Sequence, residues 1–142
     1  MDAHVVEVET RVNASPEAVW KAMTNKTSPM FMGATMDSDW TPGSSYRLHG
    51  EWGGKPFEDF GEIETAEPGK ELGFTHWAKT RERPESYNFL RYRIAPDGSG
   101  SKVTLDQFSR GKAKAYDDKT KAEFRKTYGM MLEGLKKAAE AA

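Results

Sequence analysis

The sequence contains no cysteine, which excludes disulfides, thiolate metal sites and cysteine nucleophiles. It has no excess of charge either. Lys plus Arg number 21 against 22 Asp plus Glu, a net −1, so neither nucleic acid nor an acidic membrane surface is expected as a partner. No apolar run approaches the ~20 residues of a membrane helix. The start, Met1-Asp2-Ala3-His4, shows no basic stretch followed by an apolar one, and a soluble, cytoplasmic protein is expected. Hydrophobic residues are scarce at 37%, yet aromatics reach 11%. Four Trp, five Tyr, seven Phe and seven Met must therefore supply much of the interior, which suits a cavity-bearing fold better than an aliphatic bundle. The 142 residues are one domain's worth, and residues 1–142 are expected to form that domain around one core.

Several kinds of site are missing as well. No G-x-G-x-x-G or G-x-x-x-x-G-K-[ST] pattern occurs, and Gly53-Gly54-Lys55 lacks the spacing and the following helix of a phosphate loop. The three histidines, His4, His49 and His76, have no metal-binding spacing, so neither a metal nor a cofactor is expected. Arg110 to Lys126 holds seven basic and three acidic residues, read as the wet side of a helix.

What is there is periodic. From His4 to Asn13 the pattern alternates, with Val6, Val8 and Val12 opposite Glu7, Glu9 and Arg11, as in a half-buried strand. Ser15-Pro16-Glu17 has the form of a helix start, followed by an apolar stripe of Val19, Trp20 and Met23. A second short helical piece is expected over 25–33, interrupted at Ser28-Pro29. Thr41-Pro42-Gly43 predicts a type II turn into a meander of strands at 46–52, 57–66, 72–77, 87–95 and 102–108, punctuated by glycine and proline turns. At the end Phe124, Tyr128, Met131 and Leu135 recur at helical spacing. A meander has one concave face to bury, and only this last helix is long enough to cover it.

Seven stretches in this order carry a family resemblance. They are Ala14-Ser15-Pro16-Glu17-Ala18-Val19-Trp20, Ser38-Asp39-Trp40-Thr41-Pro42-Gly43-Ser44, Gly61-Glu62-Ile63-Glu64 with Glu67-Pro68, Leu72-Gly73-Phe74-Thr75-His76-Trp77, Pro84-Glu85-Ser86-Tyr87, Val103-Thr104-Leu105-Asp106-Gln107, and Tyr128 with Leu132, Leu135 and Lys136. Over residues 5–139 the chain resembles the START-like (SRPBCC) superfamily, and within it the proteins similar to the C-terminal domain of the activator of heat-shock protein 90 ATPase. The resemblance implies an α+β helix-grip fold: a curved antiparallel sheet wrapped around a long C-terminal helix, with two short helices after the first strand. Phe31 and Tyr128 stand where the family usually has tryptophan, and both positions would border the cavity.

The inner sheet face and the facing helix stripe are expected to present Tyr46, Leu48, Phe74, Leu90, Tyr92, Leu105, Phe124, Tyr128 and Met131, with polar His76, Asn88 and Gln107 sharing the inward parity. Phe31 and Trp40 are expected at the mouth, on irregular backbone. Sparse polar groups among aromatic ones describe a small-molecule site, so a small apolar or aromatic molecule or a lipid is the expected ligand. No catalytic set is evident. His76 is read first as a buried hydrogen-bonding group. Asp37, Asp39, Glu58, Asp59, Glu62 and Glu64 are read as solvated charge on the outer face. The superfamily resemblance implies two alternatives. One is a polyketide cyclase-, dehydratase- or hydrolase-like enzyme using His76 or Tyr92 as acid–base. The other is a chaperone ATPase-activator-like partner, ranked last because no second chaperone-contacting module is visible.

Overall fold

A computed structural model describes residues 2–25, 34–112 and 115–141, with Trp52 described by its backbone only. Among these, seven strands form one antiparallel sheet in the order β1-β7-β6-β5-β4-β3-β2. The strands are β1 (Ala3–Val12), β2 (Thr35–Asp37), β3 (Ser45–Trp52), β4 (Lys55–Glu67), β5 (Glu71–Ala78), β6 (Ser86–Asp97) and β7 (Gly100–Gly111). A short helix α1 (Pro16–Met23) follows β1, and a long helix α2 (Asp118–Ala141) ends the chain. This is the expected helix-grip arrangement. The second short helix expected over 25–33 lies, from residue 26 on, outside the described residues, as does Phe31.

Local chemistry explains the elements. Ser15 caps α1, its hydroxyl oxygen accepting the Ala18 N–H at 3.2 Å, with Pro16 opening the helix. Of the expected stripe, Val19 and Met23 are fully buried, whereas Trp20 only packs against the margin of the core. Gly53 and Gly54, both at positive φ, make the two-residue turn between β3 and β4; such a turn matches the twist of paired strands and fixes their register. The Thr41–Ser44 turn has Gly43 at φ 89° and a Ser44 N–H to Thr41 C=O bond of 3.0 Å, as a type II turn requires. Asp117 caps α2 by accepting the Thr120 N–H at 2.8 Å.

The sheet is interrupted where it bends. A register shift between His4 and Val6 turns both Val5 and Val6 into the protein. A second shift lies between Ile63 and Thr65. Beside it the Tyr46 ring crosses Gly61 so closely that a Cβ there would stand 1.9 Å from the Thr75 carbonyl oxygen and 2.5 Å from the ring. Tyr46 then donates its hydroxyl to that carbonyl at 2.6 Å, and the Thr75 hydroxyl accepts the Glu62 N–H at 2.9 Å.

The concave face carries the core. Ile63, Leu72, Phe74, Tyr92, Val103 and Leu105 meet Tyr128, Met131, Leu132, Leu135 and Ala139 of α2. The C-terminal half of α2 is also tied to the end of β1. Lys136 donates to the Arg11 carbonyl at 3.0 Å, and Glu140 accepts the Asn13 N–H at 2.8 Å. The convex face has arginines laid over aromatic rings, Arg91 on Phe108 and Arg110 on Phe89, at 5.1 and 4.1 Å. Arg110 therefore belongs to β7, bonded to Asp2 and Glu64, and the basic run read as one helix side is split between a strand end and α2. Among the described residues no helix is long and apolar enough to cross a membrane.

Candidate functional site

The inward parity of the strands, taken across the register, fixes what faces α2. Leu48 pairs with Asp59 across β3–β4, Phe74 with Leu90 and His76 with Asn88 across β5–β6, and Leu90 with Gln107 across β6–β7. In α2 the same 3.6-residue stripe that buries Leu132 and Leu135 carries Phe124, Tyr128 and Met131 towards the other end of the sheet. There sheet and helix do not close on each other. A pocket of about 330 Å³ remains, walled by Leu48, Phe57, Phe74, Leu90, Phe124 and Met131 and also touched by Glu51, Asp59, His76, Thr127 and Tyr128. Phe124 stacks on Tyr128 with ring centroids 6.0 Å apart, so the helix side of the pocket is a pair of nearly parallel rings.

The fixed polar feature in it is a histidine–carboxylate pair. His76 Nε2 stands 2.8 Å from Asp59 Oδ2, with side chains 27% and 18% exposed. This corrects the reading of Asp59 as solvated outer charge. Alternation along β4 puts Phe57, Asp59, Gly61 and Ile63 on the concave side, while Glu58 faces the convex side and pairs with Arg47. A carboxylate only accepts, so His76 donates to Asp59 from Nε2. His76 is thus a hydrogen-bonded group, as expected, but it is bonded within the pocket rather than inside the core.

Of the expected site residues the structure brings Leu48, Phe74, His76, Leu90, Phe124, Tyr128 and Met131 to this one pocket. Tyr46, Tyr92, Leu105 and Gln107 are buried behind it in the core instead. Tyr92 stacks on Phe74 at 6.1 Å; its hydroxyl has no hydrogen-bond partner among the described residues, and burial, with a smaller contribution from Tyr128, pushes its pKa far above the usual range. That phenol stays protonated at neutral pH, which removes it as a base. Gln107 donates to Asn88 at 3.1 Å and leaves its own carbonyl oxygen unpartnered. Asn88 lines an adjoining recess of about 240 Å³ with Ser109 and Tyr116, reached from the far side of His76. Trp40, held at φ 59°, lines a separate recess with Thr24 and Met36.

Glu51, Phe57, Asp59 and Thr127 were not foreseen. Counting back from the Gly53-Gly54 turn would have paired Leu48 with Asp59 and placed Phe57 two residues along the same face. Thr127 lies one turn from Phe124 and Met131, on the exposed margin of the helix stripe.

One group on the convex side has the geometry for a cation: His4, Glu7 and Asp106, whose ligand atoms lie within 4.8 Å of one another. Arginine already fills that role. Arg93 stands 2.8 Å from Asp106 and 3.6 Å from Glu7, and His4 Nε2 bonds Asp106 at 2.9 Å. Burial pushes the Asp106 pKa up, but the hydrogen bonds from its neighbours and the Arg93 charge outweigh it, and the carboxyl ends below its usual value.

The comparisons with known proteins agree with this architecture. The profile of the family described as "Activator of Hsp90 ATPase homolog 1-like protein" matches residues 13–140. The solution structure of ChR145 from Cytophaga hutchinsonii superposes with a TM-score of 0.76 at 30% identity, covering 99% of this chain and 94% of that one. The crystal structure of CV1439 from Chromobacterium violaceum gives 0.72 at 16% identity, over 95% and 96% of the two chains. DynU16, a protein of the dynemicin biosynthetic locus, gives 0.75 at 17% identity, over 95% of this chain and 46% of that one. No curated protein matches the sequence. With the family profile covering nearly the whole chain and the helix-grip sheet and long helix both in place, the chain belongs to the activator of Hsp90 ATPase homolog 1-like family.

Proposed function

We propose that the protein binds a small apolar or aromatic molecule in the pocket between β3–β6 and the N-terminal half of α2. The observation that carries this reading is a preformed space of about 330 Å³ walled by Leu48, Phe57, Phe74, Leu90, Phe124 and Met131, with the Asp59–His76 pair as its fixed polar feature. Such a combination of size, apolar walls and few convergent polar groups is typical of small-molecule sites. The test is fluorescence titration with 2-methoxynaphthalene, a compact aromatic probe with no hydrogen-bond donor. Saturable binding with Kd on the order of 0.1–1 mM is expected for a ligand of this size. Thr127→Trp, at the exposed rim, should cover the mouth and weaken binding with little change in melting temperature. Absence of saturation, or binding indifferent to Thr127→Trp, refutes the reading.

The same pair favours an enzymatic alternative. Asp59 holds the His76 ring in place through Nε2, and a carboxylate-oriented imidazole in a pocket is the kind of group general acid–base chemistry uses. A cyclase, dehydratase or hydrolase acting on the bound molecule would use it. Turnover of a discovered ligand that survives His76→Ala unchanged would remove that role. A chaperone contact is supported by the family description alone, and a pull-down against purified Hsp90 tests it.

A further inference from the structure

We infer that the pocket selects aromatic molecules that carry a neutral, hydrogen-bond-donating hydroxyl and rejects those that carry a carboxylate. This rests on the binding reading above and specifies the class of ligand.

The charged lining is one-sided. Asp59 and Glu51 contribute carboxylates, and no lysine or arginine is among the described residues that line the pocket. An ionised carboxylate has about four acceptor positions and no donor. Among the described residues the Asp59 side chain takes one hydrogen bond, from His76 Nε2 at 2.8 Å. Acceptor positions on the Asp59 carboxylate therefore remain beside an apolar space, with Asp59 only 18% exposed. A ligand that shields them from solvent must bring a donor, or it leaves carboxylate acceptor positions without a partner.

The choice between ligand classes follows from charge. A carboxylate placed a few ångströms from Asp59 meets like charge in a half-shielded site, a penalty of roughly two powers of ten in affinity. An ammonium would satisfy Asp59, but it would have to shed its hydration against the Phe57, Phe74 and Phe124 walls. A neutral hydroxyl avoids both costs. It donates to the Asp59 carboxylate, and its oxygen still accepts from solvent at the Glu51–Thr127 rim. Phe57, Phe74 and Phe124 line the rest of the pocket with apolar surface, so a phenol meets both halves of it.

Three probes of one ring system separate the possibilities: 2-naphthol, 2-methoxynaphthalene and 2-naphthoate, titrated by fluorescence at neutral pH. The expected order is 2-naphthol tightest, at least tenfold over 2-methoxynaphthalene, with 2-naphthoate weakest. Asp59→Asn removes the charge while keeping an oxygen acceptor, and should narrow the gap between 2-naphthol and 2-naphthoate by at least tenfold. Equal affinity for 2-naphthol and 2-methoxynaphthalene, or 2-naphthoate binding tightest, overturns the inference while leaving the binding reading standing. Failure of all three to bind overturns that reading and this one with it. The order measured on the unmodified protein decides the matter even if Asp59→Asn does not fold.

Discussion

Replacing Leu135 and Met131 by alanine, one at a time, separates the part of α2 that holds the fold from the part that borders the pocket. The two side chains lie one helical turn apart and both are buried, at 0% and 8% exposure. Leu135 belongs to the half of α2 that packs on β1 and α1 and is clamped by Lys136 and Glu140. Its removal leaves an enclosed void, so both the transfer loss and the cavity loss apply, about 3–4 kcal/mol. Met131 already has open space on one side. Truncation there widens an existing pocket instead of creating a cavity, and only the transfer loss remains, about 1–2 kcal/mol. For a domain of this size each kcal/mol shifts the melting temperature by roughly 2–4 °C. Calorimetry should therefore show a drop of about 6–16 °C for Leu135→Ala and about 2–8 °C for Met131→Ala, with Leu135→Ala the larger. Titration with 2-methoxynaphthalene below both melting points should show the reverse ranking, affinity falling about threefold or more in Met131→Ala and holding in Leu135→Ala. Equal losses of stability, or affinities that follow stability, would refute this division of the helix.

Gly61→Ala should lower stability by about 2–4 kcal/mol, because its Cβ collides with the Thr75 carbonyl and displaces the Tyr46 hydroxyl that bonds there; a melting temperature within 2 °C of the parent would show that the close crossing does not exist. Asp106 has a folded-state pKa below its unfolded value, so its contribution to stability is present above the unfolded pKa and is lost as pH falls through the folded one. Asp106→Asn should thus be less stable than the parent at neutral pH, with the difference closing below about pH 4; a constant difference from pH 7 to pH 3 in urea titrations would contradict that sign. Deleting residues 118–142 removes Tyr128, Met131, Leu132 and Leu135 together, each contributing roughly 1.5–3 kcal/mol, and should abolish the cooperative melt rather than merely weaken binding.

Much of the fold was legible because its signals are local and agree with one another. Alternation in β1, the Ser15-Pro16 cap, the paired glycines at 53 and 54, and the helical stripe ending at Leu135 each specify one element, and their order leaves few ways to cover a concave sheet. Three features were harder. The short strand β2 has three residues, too few to show a period, and it is held by pairing to β3 rather than by its own pattern. The shift at His4/Val6 turns a valine inward that strict alternation would expose. Arg110 reads as part of a helix because charge runs carry no period of their own, whereas its place on β7 is fixed by bonds to distant Asp2 and Glu64.

The pocket was legible in outline and misread in its chemistry. Parity alone selects Phe74, His76, Leu90 and Leu48, but it does not say which inward residues the helix covers. Tyr92 and Leu105 fall under the core, while Phe74 and Leu90 reach the gap. By residue type alone Asp59 is indistinguishable from its acidic neighbours. Its true side follows from Ile63, which has the same parity and is completely buried. The polar pair that gives the pocket its direction was therefore within reach of the sequence, one register count away from the turn at Gly53-Gly54.

The central claim is that the gap beneath Phe124 and Tyr128 takes an aromatic molecule. Intermolecular nuclear Overhauser effects between 2-naphthol and the methyl groups of the protein test it directly. Contacts to the Leu48, Leu90 and Met131 methyl groups, with none to Val103 or Leu135 deeper in the core, are the predicted result. Contacts confined to any other set of methyl groups, or none at a saturating concentration of the probe, would contradict it.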